Sequence, residues 1–222
     1  MYINFWYPVA LSEELKDEPI KARILGQNFV AFRDSKGQPH TLSDTCPHRG
    51  GSLSAGIIRD DCIQCPYHGW RYDGAGYCRR IPSLGKDAKI PKRARVDAYP
   101  TQEQNGIVFT FLGDLEEEHR PPIMPVAELE DGKNWRANWL TYEADINFER
   151  SIENGLDAGH NEFVHPTHGL EGTDEDYKVN SLDYVDNMFG DKKWGFGFWH
   201  AFKSPSSSKD SPQIKEASDE RM

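Results

Sequence analysis

The stretch of sequence that decides the fold runs from residue 46 to residue 70 and reads CPHRGGSLSAGIIRDDCIQCPYHGW. Each end of it offers one thiolate and one imidazole, Cys46 with His48 and Cys65 with His68. A proline follows each cysteine and fixes a turn, while glycines just past each histidine let the backbone approach a bound group closely. Sixteen residues separate His48 from Cys65, and they suit a hairpin because 53–58 and 60–64 can pair as strands. The pattern predicts two loops that meet with four metal ligands.

Two cysteines and two histidines form the ligand set in which histidines replace two cysteines on one iron of a 2Fe-2S centre. The same residue types at these spacings also satisfy a tetrahedral structural zinc site. Zinc motifs seldom combine Cys-Pro-x-His with glycines on both loops, which favours the cluster. The other two cysteines, Cys62 and Cys78, are expected to be small buried residues rather than ligands.

Both loops resemble, residue by residue, those of the Rieske family. The resemblance implies a 2Fe-2S cluster in which Cys46 and Cys65 bind one iron and His48 and His68 bind the other. Short strand-forming runs alternate with turn signals from residue 20 to about 112, as at the turns 34–37 and 73–76. This alternation predicts an antiparallel β-sandwich.

Two departures separate this chain from the Rieske proteins of respiratory bc complexes. Those proteins join their loops by a disulfide, at positions that are held here by Gly51 and Tyr67, so that bridge cannot form. They also have a serine that bonds a cluster sulfur, where this chain has Trp70. Fewer hydrogen bonds to sulfur stabilise the reduced cluster less, so we expect a potential toward the lower end of the Rieske range of about −150 to +300 mV.

A second group of metal-capable residues lies in the run 153–166, ENGLDAGHNEFVHP. Asp157 and His160 are three residues apart and share one face of a predicted helix from Asn147 to about Glu162. Pro166 gives the chain reason to leave the helix, so that His165 can turn toward His160. Two histidines with a carboxylate form the facial triad of non-haem Fe(II) oxygenases.

This run resembles the second motif of Rieske non-haem iron oxygenases. The resemblance implies that His160 and His165 bind a mononuclear Fe(II). It also implies that Asp157 hydrogen-bonds the iron-binding histidine and the cluster-binding histidine of a neighbouring subunit in a homotrimer, and that Asn154 lies near the iron. The third ligand of the family is a carboxylate well over a hundred residues further on, so we expect this chain to be cut within the catalytic domain.

The expected organisation is α+β. A Rieske domain spans residues 1–115, a linker rich in glutamate and proline spans 116–126, and the first part of a helix-grip-like catalytic domain spans 127–222. In the catalytic part, Trp135–Asp145 and Trp194–Phe202 are predicted to be strands, and the polar end after Ser204 is predicted to be disordered.

Net charge, mean hydropathy and the N-terminal stretch indicate which partners and which location to expect. A formal net charge of −10 disfavours nucleic acid as a partner and suits a basic redox partner. The mean hydropathy of −0.74 argues against a membrane span. The short apolar N-terminal stretch lacks the basic region of a signal peptide, so we expect a cytoplasmic protein with thiols rather than disulfides.

The predicted function is that of the oxygenase component of a Rieske non-haem iron system. Electrons from NAD(P)H would arrive through a ferredoxin or flavin reductase, and a mono- or dioxygenase reaction with O2 would hydroxylate or oxidatively demethylate an aromatic or cyclic substrate. The alternative is a Rieske ferredoxin-like electron carrier without catalytic activity of its own.

Overall fold

The computed structural model describes residues 3–160, 164, 183–186 and 196–199. The chain divides into two compact units, Met1–Arg136 and Ala137–Met222, and each is described by itself. In the described part of the first unit, strands dominate and every strand pair is antiparallel. The strands are β1 (Phe5–Leu11), β2 (Ile20–Ile24), β3 (Gln27–Arg33), β4 (Pro39–Ser43), β5 (Ile57–Arg59), β6 (Cys62–Gln64), β7 (Arg71–Tyr72), β8 (Cys78–Arg80), β9 (Ala98–Tyr99), β10 (Thr101–Gln104) and β11 (Ile107–Leu112).

These strands form three sheets, with the orders β2-β3-β4-β9, β1-β11-β10 and β5-β6-β7-β8. The first strand of the unit pairs with the last, from Phe5 opposite Leu112 to Leu11 opposite Ile107, and this long-range pairing closes the unit. The small sheet β5-β6-β7-β8 matters most for the site, because its β6–β7 hairpin carries the ligand loop 65–70 and the ligand loop 46–51 lies between β4 and β5. The antiparallel fold expected from the sequence is confirmed.

Two hairpin loops share one construction that the sequence signalled as turns. Asp34 accepts hydrogen bonds from the backbone N–H groups of Lys36 and Gln38, at 3.0 and 2.9 Å. Asp73 accepts in the same way from Ala75 and Tyr77, at 3.0 and 2.9 Å. An aspartate that caps its own turn offers these N–H groups a partner outside the strand ladder.

The core that supports the site is a cluster of buried side chains that includes both candidate cysteine ligands. Large apolar residues from β3, β4, β6 and β7 surround them, which places the sulfur atoms inside the unit rather than on its surface. The fully buried members are Val30, Phe32, Leu42, Leu53, Ile63 and Tyr72, and they pack with Cys46 and Cys65.

The predicted linker packs on the first unit. The indole N–H of Trp6 donates to the carbonyl of Pro121 at 2.6 Å, the Arg120 guanidinium lies 5.5 Å from the centre of the Phe111 ring, and Ile123 is buried. Helix α1 (Ala127–Glu130) follows. The domain limits expected from the sequence stay a prediction.

The described part of the second unit contains helix α2 (Phe148–Leu156) and an antiparallel pair, β12 (Asp183–Asp186) with β13 (Phe196–Trp199). Asn147 caps α2, since its side chain accepts from the N–H of Glu149 at 2.8 Å. The strand predicted over Trp194–Phe202 is confirmed for Phe196–Trp199.

Two local predictions are wrong. Residues 135–145 form no strand, because β-forming side chains specify a strand only where a neighbouring chain supplies a ladder partner. Helix α2 ends at Leu156 instead of near Glu162, because the side chain of Asp157 accepts from the N–H of Gly159 at 3.1 Å and competes with continued helical bonding. The polar segment after Ser204 lies outside the described residues.

Candidate metal centre

The two candidate ligand loops, 46–51 and 65–70, have the same backbone fold. In each loop the cysteine N–H donates to the carbonyl five residues later, Cys46 to Gly51 at 2.9 Å and Cys65 to Trp70 at 2.8 Å. In each loop the N–H of the glycine four residues after the cysteine donates back to the cysteine carbonyl, from Gly50 at 2.8 Å and from Gly69 at 3.0 Å. The loops therefore present their cysteines in equivalent local frames, although the histidine follows two residues after Cys46 and three after Cys65.

Glycine is required at the turning point of both loops. The φ angles of Gly50 and Gly69 are 71° and 70°, in the left-handed region where a Cβ atom is strained. The sequence predicts that these glycines let the backbone approach a bound group closely. Their φ angles add a conformational reason for glycine at both positions.

The four candidate ligand side chains fall into two pairs. Cys46 and Cys65 are each 2% exposed and lie in the same core cluster, where burial and then the neighbouring Cys46 raise the pKa of Cys65. His48 and His68 are exposed, with ring centroids 4.6 Å apart and planes inclined by 64°. A buried sulfur pair and an exposed imidazole pair match a two-iron cluster that takes two protein ligands on each iron.

Hydrogen bonds converge on both sulfur atoms. The Tyr72 hydroxyl lies 3.2 Å from the Cys46 sulfur, and burial raises the pKa of Tyr72. A metal-bound thiolate has no proton, so the phenol would be the donor to Cys46 in the metal-bound form. The backbone N–H groups of Tyr67 and His68 donate to the Cys65 sulfur. Burial raises the pKa of the Cys65 thiol, and these N–H donors oppose that shift. The donors fit a sulfur that carries negative charge, as a metal-bound thiolate does.

Aromatic rings hold both imidazoles. The Trp70 ring stacks on His48 with centroids 4.5 Å apart and planes within 7°, and Trp70 itself packs against the core. The Tyr67 ring lies 4.0 Å from that of His68. Where respiratory Rieske proteins have a serine donor, this chain has a ring that restricts a candidate ligand instead.

The loops also face one another where the respiratory proteins have their disulfide. A Cβ atom on Gly51 would lie 3.4 Å from the Cβ of Tyr67 and 3.1 Å from the sulfur of Cys65. The absence of a side chain at Gly51 thus leaves room for the sulfur. All four cysteines are free thiols, as predicted.

Cys62 and Cys78 are buried, in agreement with the structural role expected of them. Burial raises the pKa of Cys62 to about 11, and burial also raises that of Cys78. Neutral thiols of this kind are poor metal ligands, because thiolate is the binding form.

Asp44 is a positioning residue that sequence reasoning missed. This carboxylate is 3% exposed, and it accepts hydrogen bonds from the N–H of Ser54 at 2.6 Å and from the hydroxyls of Ser52 and Ser54 at 2.7 and 3.0 Å. It thus anchors the chain that leaves the first loop. The signal in the sequence is the Ser-Leu-Ser run directly after the glycine pair, where short hydroxyl side chains suit local hydrogen bonding to an acid.

The structure describes only part of the second group of metal-capable residues, in the run 153–166. His160 follows the end of α2 and its Nδ1 atom donates to the carbonyl oxygen of Asp157, which makes Nε2 the ring nitrogen with a lone pair for a metal. Nδ1 also lies 3.7 Å from the Asp157 carboxylate. The structure therefore brings Asp157 and His160 together, with Asn154 in the last turn of α2. His165 lies outside the described residues, and in the described part no three His, Cys, Asp or Glu side chains surround one point suited to a single ion.

Comparison with known proteins agrees with this geometry. Residues 5–100 match the Rieske [2Fe-2S] domain family. Over 164 residues the chain is 35% identical to a 4beta-methylsterol monooxygenase of Methylococcus capsulatus, covering 73% of this chain and 44% of that protein. Over 192 residues it is 32% identical to cholesterol 7-desaturase nvd 1 of Ciona intestinalis, covering 85% of this chain and 40% of that protein. Among solved structures, dicamba monooxygenase bound to dicamba aligns with a TM-score of 0.67 and 27% identity, over 82% of this chain and 53% of that one.

The fold and the paired loops define a Rieske [2Fe-2S] domain. Along the aligned length the chain is also similar to proteins named as oxygenases, in agreement with the Rieske non-haem iron oxygenase family that the two sequence motifs predicted. The matched family is defined by a [2Fe-2S] cluster, so that predicted cofactor is confirmed at the level of the family, whereas the mononuclear iron stays a prediction. The side chains that hold them here stay a prediction. The chain spans about two-fifths of the length of the relatives it matches.

No helix in the described part of the chain is both long enough and apolar enough to cross a membrane.

Proposed function

We propose that this chain belongs to the oxygenase component of a Rieske system, which hydroxylates or oxidatively demethylates a cyclic or aromatic substrate with O2. The observation that carries the proposal is the pairing of a buried thiol pair with an exposed imidazole pair on two equivalent loops, with a second histidine–aspartate pair after α2 in the same chain. A bound [2Fe-2S] cluster supplies one-electron transfer, and a mononuclear iron with open positions supplies dioxygen chemistry.

In this proposal the first unit binds and orients the electron-transfer group. Cys46 and Cys65 hold one iron from the core side, and His48 and His68 hold the other at the surface. Burial excludes water from the sulfur side, while exposure of the imidazoles leaves a short route to another protein surface. The proton of Tyr72 stays on its hydroxyl and neutralises part of the charge on Cys46.

The second unit contributes the oxygen-activating site. His160 binds the mononuclear iron through Nε2, because its Nδ1 donates to the chain at Asp157 and fixes the tautomer. His165 is the second histidine ligand, and Asn154 lies near the metal. Asp157 links this histidine to a cluster histidine of a neighbouring subunit, which requires a homotrimer.

The substrate class follows from the relatives. Their names describe action on a sterol in two cases, and a structural neighbour binds dicamba. We infer a cyclic substrate for this chain and place the electron source in NAD(P)H, through a ferredoxin or flavin reductase. We assign the protein to the cytoplasm.

An iron count combined with one substitution tests the proposal. Protein reconstituted anaerobically should contain about three irons per chain, two in the cluster and one outside it, and nitric oxide should produce a new EPR signal from the mononuclear iron. His160→Ala should remove that signal and leave the cluster spectrum unchanged, whereas the exposed His119→Ala control should change neither.

A cluster with about two irons per chain and no nitric oxide signal would assign the chain to the alternative, an electron carrier. Colourless protein that retains zinc would exclude both.

A further inference from the structure

A basic loop lies beside the second cysteine loop, and it contrasts with the acidic charge of the chain. Residues 79–95, named here the basic loop, contain seven basic residues and one acidic residue, in a chain with 26 basic and 36 acidic residues. We propose that this loop is the docking surface for an acidic electron-donor protein. The inference rests on the proposed function, since it assigns the entry point of the electrons. The basic residues are Arg79, Arg80, Lys86, Lys89, Lys92, Arg93 and Arg95.

Contacts with the site fix the position of the loop. Pro82 packs against Gly69, the residue after His68, since a Cβ atom on Gly69 would lie 3.1 Å from the Pro82 side chain. Ile81 is buried in the core cluster that contains Cys46 and Cys65, and Ile90 packs against the same cluster. The loop is therefore attached at Ile81 and at Ile90 to the structure that holds the candidate ligands.

The charges of this loop are available to a partner. Lys86, Lys89, Lys92 and Arg93 are exposed. Within the part of the chain that the structure describes, none of these four residues forms an ion pair. The ion pairs there are formed by other basic residues, and in this loop by Arg79 with Asp73. The one acidic residue of the loop, Asp87, adjoins Lys86 in the chain. Lysines that form no ion pair keep their positive potential, which attracts an acidic surface over about 10 Å at 0.1 M salt.

An apolar centre accompanies the charges. Tyr67 is 62% exposed, and its ring lies 4.0 Å from that of the exposed His68. Leu84, two residues after the Pro82 that packs against Gly69, is 51% exposed. A small apolar centre with a charged rim suits a transient redox complex, in which charge steers the encounter and apolar contact orients it. In that complex one electron leaves the reduced centre of the donor and reduces the cluster by one electron, and no bond forms or breaks.

The local charge thus selects the opposite kind of partner from the one that the whole-chain charge suggested. Screening limits the reach of distant acidic residues, so the charge around the imidazoles decides the encounter.

The test measures binding and electron transfer on the full chain with its cluster. The probe is an acidic plant-type [2Fe-2S] ferredoxin, whose potential is below that of a Rieske cluster, so that electron transfer to the cluster is favourable. The loop variant is Lys86→Glu, Lys89→Glu, Lys92→Glu. The matched control is Lys16→Glu, Lys21→Glu, Lys36→Glu, which changes the net charge equally at exposed lysines outside the loop. Calorimetry gives the Kd for oxidised ferredoxin, and stopped-flow absorbance gives the rate of cluster reduction.

We expect the loop variant to weaken binding and slow reduction about tenfold or more at low salt, with a change below about twofold in the control. Added salt should slow the unmodified chain and leave the loop variant unaffected. Equal effects of both variants, or no effect of either, would overturn the inference. If the glutamate variant fails to hold its cluster, the corresponding Lys→Gln variant decides by the same criteria. Failure of the proposed function is distinguishable, because it is measured on the unmodified chain by the iron count and the nitric oxide signal, and neither depends on the charge of the basic loop.

Discussion

Replacing Tyr72 with Phe should lower the reduction potential of the cluster. Tyr72 is fully buried and its hydroxyl lies 3.2 Å from the sulfur of Cys46. A hydrogen bond to a charged acceptor contributes about 1.5–3 kcal/mol, and it stabilises the reduced cluster more because that form carries one more negative charge. Phenylalanine keeps the ring in the core and removes only the donor.

The size of the shift follows from the share of the bond that depends on redox state. If a third to a half of it does, the difference is on the order of 1 kcal/mol. A one-electron couple changes by 59 mV for a tenfold change in equilibrium constant, so the potential should fall by about 40 mV. Potentiometric titration followed by visible absorbance measures this directly.

Tyr77→Phe is the control, since Tyr77 is partly exposed and its ring contacts Arg79 and Arg95 rather than sulfur. Its potential should match that of the unmodified chain within about 10 mV, because no hydrogen bond to the cluster ligands changes. An unchanged or raised potential in Tyr72→Phe, with the cluster intact, would refute the reasoning.

Three further outcomes are expected. Asp44→Ala should lower the free energy of unfolding by about 2–4 kcal/mol and reduce the iron content, since three donors lose their buried acceptor; chemical denaturation and an iron assay check this, and full iron retention would contradict it. Glu103→Gln should flatten the pH dependence of stability below about pH 5. The hydrogen bond from Arg33 lowers the pKa of Glu103 in the folded chain. The resulting stabilisation is present above the pKa of the unfolded state and is lost as the pH falls through the pKa of the folded state. Denaturation at stepped pH measures the slope, and an identical slope in the variant would count against it. Cys62→Ala should retain the cluster spectrum, whereas Cys46→Ala should lose it; loss in both would make Cys62 a ligand.

The sequence was sufficient to predict the two ligand loops, because residue type and spacing carry that information locally. Cys46, His48, Cys65 and His68 are brought together as two pairs, and the turns at Asp34 and Asp73 are where the pattern placed them. The antiparallel fold was predictable from the same alternation of strand formers and turn residues.

Long-range features were not predictable. The pairing of β1 with β11 depends on segments about a hundred residues apart, and no local pattern specifies such a partner. The anchoring role of Asp44 becomes visible only once Ser52 and Ser54 lie beside it. The early end of α2 depends on competition between the Asp157 side chain and the helix backbone for hydrogen bonds. Helix propensity alone does not show whether the helix ends at Leu156 or continues.

The basic loop shows a related limit. The net charge of the whole chain averages over surfaces that a partner does not contact. The contact of Pro82 with Gly69 attaches the loop of Lys86, Lys89 and Lys92 to the second ligand loop, and the sequence does not show this contact. Composition predicted a basic partner, whereas the placement of these residues supports an acidic one.

The central claim is that one iron of a two-iron cluster is held by the imidazoles of His48 and His68. Electron-nuclear double resonance of the reduced protein tests it most directly, because nitrogen nuclei bound to the paramagnetic cluster produce strong couplings. The account predicts two such nitrogens, with one lost in His48→Cys or His68→Cys if the cluster survives the change. A reduced cluster without nitrogen coupling, or a diamagnetic protein that holds zinc, would contradict it.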